Sequence, residues 1–321
     1  MRYVDLHCDT LMNCYLGGEK LRENKAHIDL VRLKAAGALA QCFAIFIPTN
    51  GVAEKTGVNL SPQEYFDACL EVYKREIAEN EDIISPALRA GDIAKNAAAG
   101  KMSAILTIED GVVVNGEQET LDELFNLGVR LITLTWNYEN CFGYPQNADP
   151  DAMKLALKPF GIEALRRMNE LGIIADVSHL SEGGFYDVAE YSRKPFTASH
   201  SCSRALCGAS RNLDDRQLKT LGEKGGVCGV NFVPAFLEND SVYGSIEMIV
   251  RHARHIADMA GVGAVAFGSD FDGFSDEIEF KDCSGMPLVI DALAGAFHES
   301  EIDKICCENA LRLFRENMQE G

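Results

Sequence analysis

Short apolar segments rich in β-branched residues recur along the chain, and longer stretches with helical spacing of apolar positions separate them. Eight segments have the length and composition of buried strands: residues 2–6, 39–47, 103–108, 129–135, 172–178, 195–199, 226–232 and 264–268. The intervening helical patterns lie at residues 61–79, 121–127, 160–171, 181–191, 214–222 and 245–260, and two more follow at 288–298 and 302–317. This alternation predicts an α/β fold, a (β/α)8 TIM barrel formed by a single domain over residues 1–321.

Polar side chains follow seven of the eight predicted strands. In chain order they are His7, Asp9, Glu109, Trp136, Asn137, His179, His200, Asn231 and Asp270. Any one of them could be a helix cap, and His7 and Asp9 could simply hydrogen-bond each other, because residues two apart in a strand point the same way. The carboxyl ends of barrel strands, however, meet on one face, where the active sites of this fold lie. Three histidines, three acids and two asparagines at that face favour a metal site.

The chemistry of these groups suits zinc or a similar divalent ion of the first transition row. A single tetrahedral catalytic ion needs only three protein ligands, so we expect two ions that share one carboxylate. The expected ligands are His7, Asp9, Glu109, His179 and His200. Glu109 would be the shared ligand, and a water between the ions would lose a proton to give a hydroxide nucleophile. Asp270 would then be free to accept and return that proton.

The amino-acid composition limits which partners the protein is expected to bind and where in the cell it is expected. The net charge of −19 argues against nucleic acid or an anionic membrane as a partner. No signal peptide and no membrane-spanning run is apparent, and the eleven cysteines form no C-x-x-C pair. We therefore expect reduced core thiols and a cytoplasmic protein. His252 and His255, in the segment RHARH, are expected on a solvated cationic helix face.

Several motifs resemble those of the membrane (renal) dipeptidase family, zinc dipeptidases with an amidohydrolase-like barrel. In family order they are DLHCDT, TIEDG, GVRLITLTWN, DVSH, SHSCSRALCGASRN, NFVPAF and GSDFDG, and together they extend over most of the chain. The run from His200 to Arg211 and Asn212 is the most specific of them. The resemblance implies a binuclear zinc centre with the five ligands named above. It also implies that Arg211 binds the free carboxylate of a dipeptide and that Asp270 is the acid and base.

Two positions depart from the family pattern. Trp136 stands where the best-known members carry a histidine that steadies the tetrahedral intermediate, and Phe236 stands where they carry a tyrosine. The indole N–H of Trp136 or the amide of Asn137 could take over the histidine's contact, so both are expected to bind substrate. We also expect neither the secretion signal nor the lipid-anchor tail of the animal enzymes.

The expected function is hydrolysis of dipeptides, and several alternatives stay open. Another metal-dependent hydrolase, such as a lactonase, a deaminase or an N-acyl amino acid hydrolase, could use the same barrel. A catalytically inactive barrel that binds metal or ligand is a further option, as is a homodimer. Arg211 could instead be a structural residue paired with Asp214 or Asp215. The H-x-D pair at the first strand and Glu109 as the bridge favour the dipeptidase.

Overall fold

Eight parallel strands close into a barrel. The computed structural model describes residues 1–318. Its strands are Tyr3–Asp5 (β1), Ala38–Phe46 (β2), Ile84–Pro86 (β3), Met102–Glu109 (β4), Val129–Thr133 (β5), Ile174–Asp176 (β6), Thr197–Ser201 (β7), Val227–Val230 (β8), Tyr243–Gly244 (β9), Val265–Phe267 (β10) and Glu277–Ile278 (β11). The ring runs β1-β2-β4-β5-β6-β7-β8-β10 and returns to β1, while β3 pairs with the start of β4 and β9 pairs with β11.

Helices surround this ring. They are Thr10–Leu16 (α1), Leu30–Ala35 (α2), Gly51–Thr56 (α3), Pro62–Glu79 (α4), Ala90–Ala98 (α5), Gln118–Asn126 (α6), Pro150–Met153 (α7), Pro159–Leu171 (α8), Glu182–Tyr191 (α9), Asp215–Glu223 (α10), Pro234–Leu237 (α11), Ile246–Ala260 (α12), Met286–Leu293 (α13), Glu299–Asp303 (α14) and Asn309–Asn317 (α15). A π-helical turn, Lys304–Glu308, joins α14 to α15. None of the helices described here is long and apolar enough to cross a membrane.

The predicted (β/α)8 barrel is confirmed, since each of the eight predicted strands corresponds to one strand of the ring. The predicted helices are also present, although the one expected at residues 302–317 is interrupted by the π-helical turn. The short helices α1, α2, α3 and α5 and the small β9–β11 sheet were not predicted. These elements are between two and nine residues long, too short for the periodicity of apolar positions to identify them.

Two apolar clusters stabilise the barrel. The larger one packs the strands against the surrounding helices. The smaller one combines side chains from seven of the ring strands, among them Val4, Ile105 and Leu131, with Leu313 and Phe314 of α15. The end of the barrel opposite the carboxyl ends of the strands is thus closed by α15, and the other end stays open for a site.

Histidine and cysteine positions test two further expectations. The prediction of a solvated His252 is wrong: its ring is fully buried on the apolar face of α12, accepts the Ser203 N–H at Nδ1 (3.0 Å) and lies 2.9 Å from the Leu237 carbonyl at Nε2. Burial lowers the pKa of His252 to about 4, so the ring is neutral. His255 does lie toward solvent, 2.7 Å from Asp215. All eleven cysteines are free thiols and nine are buried, as expected of core residues.

The strands pack so closely at Gly268 that an added methyl group should destabilise the fold. A Cβ added to Gly268 would overlap the backbone carbonyl oxygen of Ser199, directly before His200. Gly268→Ala should therefore lower the free energy of unfolding by about 1–3 kcal/mol or more, because the strands must separate to admit the methyl group. Urea denaturation measures this change. Gly263→Ala is the control, since its added Cβ meets nothing within 4 Å, and equal stability of the two variants would contradict the packing argument.

Candidate metal centre

Five buried side chains converge at the carboxyl ends of the strands. The Nε2 atom of His7 lies 3.4 Å from Asp9 Oδ2 and 3.6 Å from Glu109 Oε2. The other carboxylate oxygen, Glu109 Oε1, lies 2.9 Å from His179 Nε2 and 3.3 Å from His200 Nε2. None of the five residues is more than 8% exposed. The two oxygens of Glu109 therefore face two separate sets of ligand atoms.

Several polar atoms of this cluster have no hydrogen-bond partner. Both ring nitrogens of His7 and Oδ1 of Asp9 are buried without a hydrogen-bond partner. His179 Nε2 and His200 Nε2 lie 3.1 Å apart. Unsatisfied buried polar atoms cost free energy, and a divalent cation would satisfy the lone pairs of imidazole and carboxylate together. The donor set thus fits a metal site.

Ionisation of the cluster fits metal binding as well. Burial lowers the pKa of His179 to about 4 and the pKa of His200 well below its usual value, so both rings are neutral, as ligands must be. Burial opposes protonation of His7, but the carboxylates of Asp9 and Glu109 outweigh it and raise the pKa of His7 well above its ordinary value. These two carboxylates thus attract positive charge into the cluster, and a metal ion would supply it.

Asp270 lies beside this cluster, with Oδ1 3.8 Å from His7 Nε2. Its Oδ2 accepts a hydrogen bond from the Asn231 side-chain amide at 2.8 Å. Burial raises the pKa of the Asp270 carboxyl to about 6. The backbone of both Asp270 and His179 is left-handed, with φ of 62° and 67°, a conformation that non-glycine residues rarely adopt and that recurs at functional sites.

A cavity of about 320 Å³ opens above these residues. Its polar lining comes from Asp9, Glu109, Asn137, His179 and Asp270, and its apolar lining includes Met12, Phe46, Val52, Trp136, Val233, Phe236 and Phe274. The Trp136 ring packs edge-on against Phe46, with centroids 4.9 Å apart, and the Asn137 Oδ1 lies 3.1 Å from His179 Nδ1. The loop after β10, residues 271–287, contributes Gly273 and Phe274 to the lining, whereas no residue of the loop 138–158 is part of it.

Arg211 lies behind the cavity wall, 7% exposed, with its guanidinium carbon 5.4 Å from the centre of the Phe236 ring. One terminal nitrogen donates to the His200 carbonyl (3.1 Å), the other lies 3.4 Å from Ser201 Oγ, and Nε has no partner. No carboxylate among residues 1–318 forms an ion pair with it. The pairing of Arg211 with Asp214 or Asp215 that was considered is not found, because Asp214 caps α10 and Asp215 pairs with His255.

Sequence reasoning missed the apolar wall of the cavity. Its residues come from distant segments: Met12 lies on α1, Phe46 ends β2, Val52 lies on α3 and Phe274 follows β10. Nothing in the local spacing of these residues marks them as neighbours, since only the closed barrel brings the segments together.

The family model of the membrane dipeptidases (peptidase family M19) matches residues 1–320. The chain belongs to this family. It is thus a hydrolase that acts on peptide bonds, a dipeptidase whose family implies divalent metal ions.

Individual relatives agree with this assignment. An uncharacterized protein in the pqqA 5′ region of Klebsiella pneumoniae is 34% identical over 259 residues, which cover 78% of this chain and 95% of that protein. The dipeptidase tcpJ of Claviceps purpurea is 28% identical over 295 residues, covering 90% of this chain and 69% of the relative. A crystal structure of the M19 metallopeptidase dipeptidase AC superimposes with a TM-score of 0.89 at 28% identity, covering 99% of each chain. A metallopeptidase from Rhodobacter sphaeroides gives 0.87 at 26%, also over 99% of each.

Proposed function

We propose that this dipeptidase uses two zinc ions that share Glu109. The observation that carries the proposal is the placement of the two Glu109 oxygens, one toward His7 and the other toward His179 and His200. His7, Asp9 and Glu109 would hold one ion, and Glu109, His179 and His200 the other. Ions bound there would polarise the scissile carbonyl and lower the pKa of a water molecule toward neutrality.

Asp270 is proposed as the general base and acid. Its Oδ2 is held by Asn231, whereas Oδ1 faces the cluster and the cavity, where an attacking water would bind. From that position Asp270 would take a proton from the water and return it to the leaving amine. It is not needed to complete either set of ligands.

Arg211 is proposed to bind the C-terminal carboxylate of the substrate. A buried guanidinium without a carboxylate partner is unfavourable unless an anion can join it. Burial lowers the pKa of Arg211, and the nearby carboxylates of Asp270, Glu109 and Asp176 offset this effect only in part. The Phe236 ring faces the guanidinium and limits its orientation. A planar two-bond contact would then set the register of the dipeptide and explain how a protein of net charge −19 accepts an anionic end.

Trp136 and Asn137 are proposed to contact the substrate beside His179. Because Asn137 Oδ1 already faces His179 Nδ1, this residue also orients a proposed ligand, while Trp136 forms part of the apolar wall. The Rhodobacter sphaeroides enzyme, whose structure holds a phosphinate mimic of the dipeptide L-Ala-D-Ala, supports a dipeptide substrate for this chain.

Replacing the proposed acid and base tests its role. Asp270→Asn should lower kcat by about 10²–10⁴-fold, the usual contribution of general acid–base catalysis, while metal content measured by elemental analysis stays the same. Asp276→Asn, which changes an exposed carboxylate of the same loop, is the control and should retain activity. Loss of metal from Asp270→Asn would make Asp270 a ligand instead, and near-normal turnover would exclude it from both roles.

The preference for a dipeptide over its C-terminal amide tests both the proposed role of Arg211 and the proposed reaction. Wild type should hydrolyse a dipeptide far better than its C-terminal amide, and Arg211→Met should nearly abolish that preference while keeping its metal. Losing a charge-assisted contact should cost about 1.5–3 kcal/mol in kcat/KM. Arg211→Lys should rescue little, because an ammonium group cannot form the planar pair of hydrogen bonds.

The control for this comparison is Arg216→Met, which removes an exposed arginine from the nearby helix α10. It should leave the ratio of acid to amide hydrolysis unchanged. If Arg211→Met also leaves that ratio unchanged, Arg211 does not bind the substrate carboxylate.

A further inference from the structure

Two buried aspartate–serine pairs lie below the candidate metal centre. One connects β6 with β7, and the other connects β1 with the residues that follow β10. Asp176 at the end of β6 binds Ser199 of β7, and Asp5 at the end of β1 binds Ser269, which follows β10. In both pairs the aspartate accepts the backbone N–H of the serine (2.8 and 2.9 Å) and its hydroxyl (2.5 and 2.6 Å). In both, the serine directly precedes a residue of the candidate site.

Asp176 has all its acceptor positions filled. Its Oδ1 accepts the N–H groups of Ser178 (3.0 Å) and Ser199 (2.8 Å), and its Oδ2 accepts the hydroxyls of Thr133 (2.6 Å) and Ser199 (2.5 Å). The residue is fully buried, and among residues 1–318 it forms no ion pair with a lysine, arginine or histidine. A carboxylate held in this way accepts hydrogen bonds only, so the single hydroxyl proton of Ser199 points to Asp176.

This arrangement determines where the proton of His200 resides. Ser199 Oγ lies 2.7 Å from His200 Nδ1, and since its own proton is used on Asp176, it can only accept from that nitrogen. Nδ1 therefore carries the proton, and Nε2 presents a lone pair. That lone pair faces Glu109 Oε1 at 3.3 Å and His179 Nε2 at 3.1 Å.

We propose that Asp176 and Ser199 are positioning residues that fix the tautomer and ring orientation of His200 and thereby strengthen metal binding. This inference rests on the proposed role of His200 as a ligand. Partners of this kind, which hold the second nitrogen of a ligating histidine, commonly change metal affinity by about 10–100-fold. The pair formed by Asp5 and Ser269 has no such effect on His7, whose Nδ1 has no partner.

Metal affinity tests the proposal with a matched control. Ser199→Ala removes the acceptor of the His200 Nδ1–H and should weaken zinc binding about 10–100-fold in competition with a chromophoric chelator. Thr133→Val removes a hydroxyl from the same oxygen of Asp176 without touching the imidazole. It should lower stability and leave zinc affinity within about twofold of wild type, well below the change expected for a lost histidine partner.

The tautomer itself is measured by ¹⁵N NMR of the imidazoles in metal-free protein. Wild type and Thr133→Val should show His200 protonated at Nδ1. Asp176→Asn should move that proton to Nε2, because the asparagine amide would donate to Ser199 and turn the serine hydroxyl toward Nδ1. Retention of Nδ1 protonation in a folded Asp176→Asn protein would overturn the proposal.

Equal loss of zinc affinity in Ser199→Ala and Thr133→Val would also overturn it, and this comparison decides alone if Asp176→Asn does not fold. Failure of the proposed function gives a different result. A wild-type protein with Nδ1-protonated His200 and the expected variant affinities, but without dipeptide hydrolysis, would disprove the assigned reaction and leave the role of Asp176 and Ser199 standing.

Discussion

The site depends on one electrostatic constraint: the buried Glu109 carboxylate needs positive charge beside it, and the imidazoles of the cluster lower the pKa of this carboxyl well below its usual range. Its oxygens lie within 3.6 Å of three imidazole nitrogens, two of which belong to rings kept neutral by burial. The other charged groups nearby are the carboxylates of Asp9 and Asp270, the ring of His7, whose pKa these acids raise, and the guanidinium of Arg211. Divalent ions bound between these groups would supply that positive charge in compact form, in place of a proton on His7.

The fold provides the precision that this constraint requires. The proposed ligands lie at or just after the ends of β1, β4, β6 and β7. They meet because parallel strands end on one face, and the closed ring fixes the distances between those ends. Below them, Ser199 donates to Asp176 and lies beside His200 Nδ1, the contact proposed to orient this imidazole, and the small residue Gly268 lets the strands approach the Ser199 carbonyl. Above them, an apolar wall and a buried arginine leave room for a small substrate with a charged end.

The barrel and the cluster could be predicted because the eight strand segments are short and largely apolar, and seven of them are followed by polar residues. The roles of individual polar residues were harder to predict. His252 was expected in solvent because arginines flank it, yet the helical repeat of α12 places it on the buried face. Asp176 carries no local signal that distinguishes a positioning carboxylate from a cap. Its function depends on a serine 23 residues away, which only strand pairing brings near.

Anomalous diffraction from zinc-loaded crystals tests the central claim most directly. We predict two peaks per chain, about 3.5–4 Å apart, with one oxygen of Glu109 bound to each ion, and loss of both peaks in Glu109→Ala, because that change removes a ligand from each. A single ion in fully loaded wild-type protein, or two ions of which neither contacts Glu109, would contradict the account.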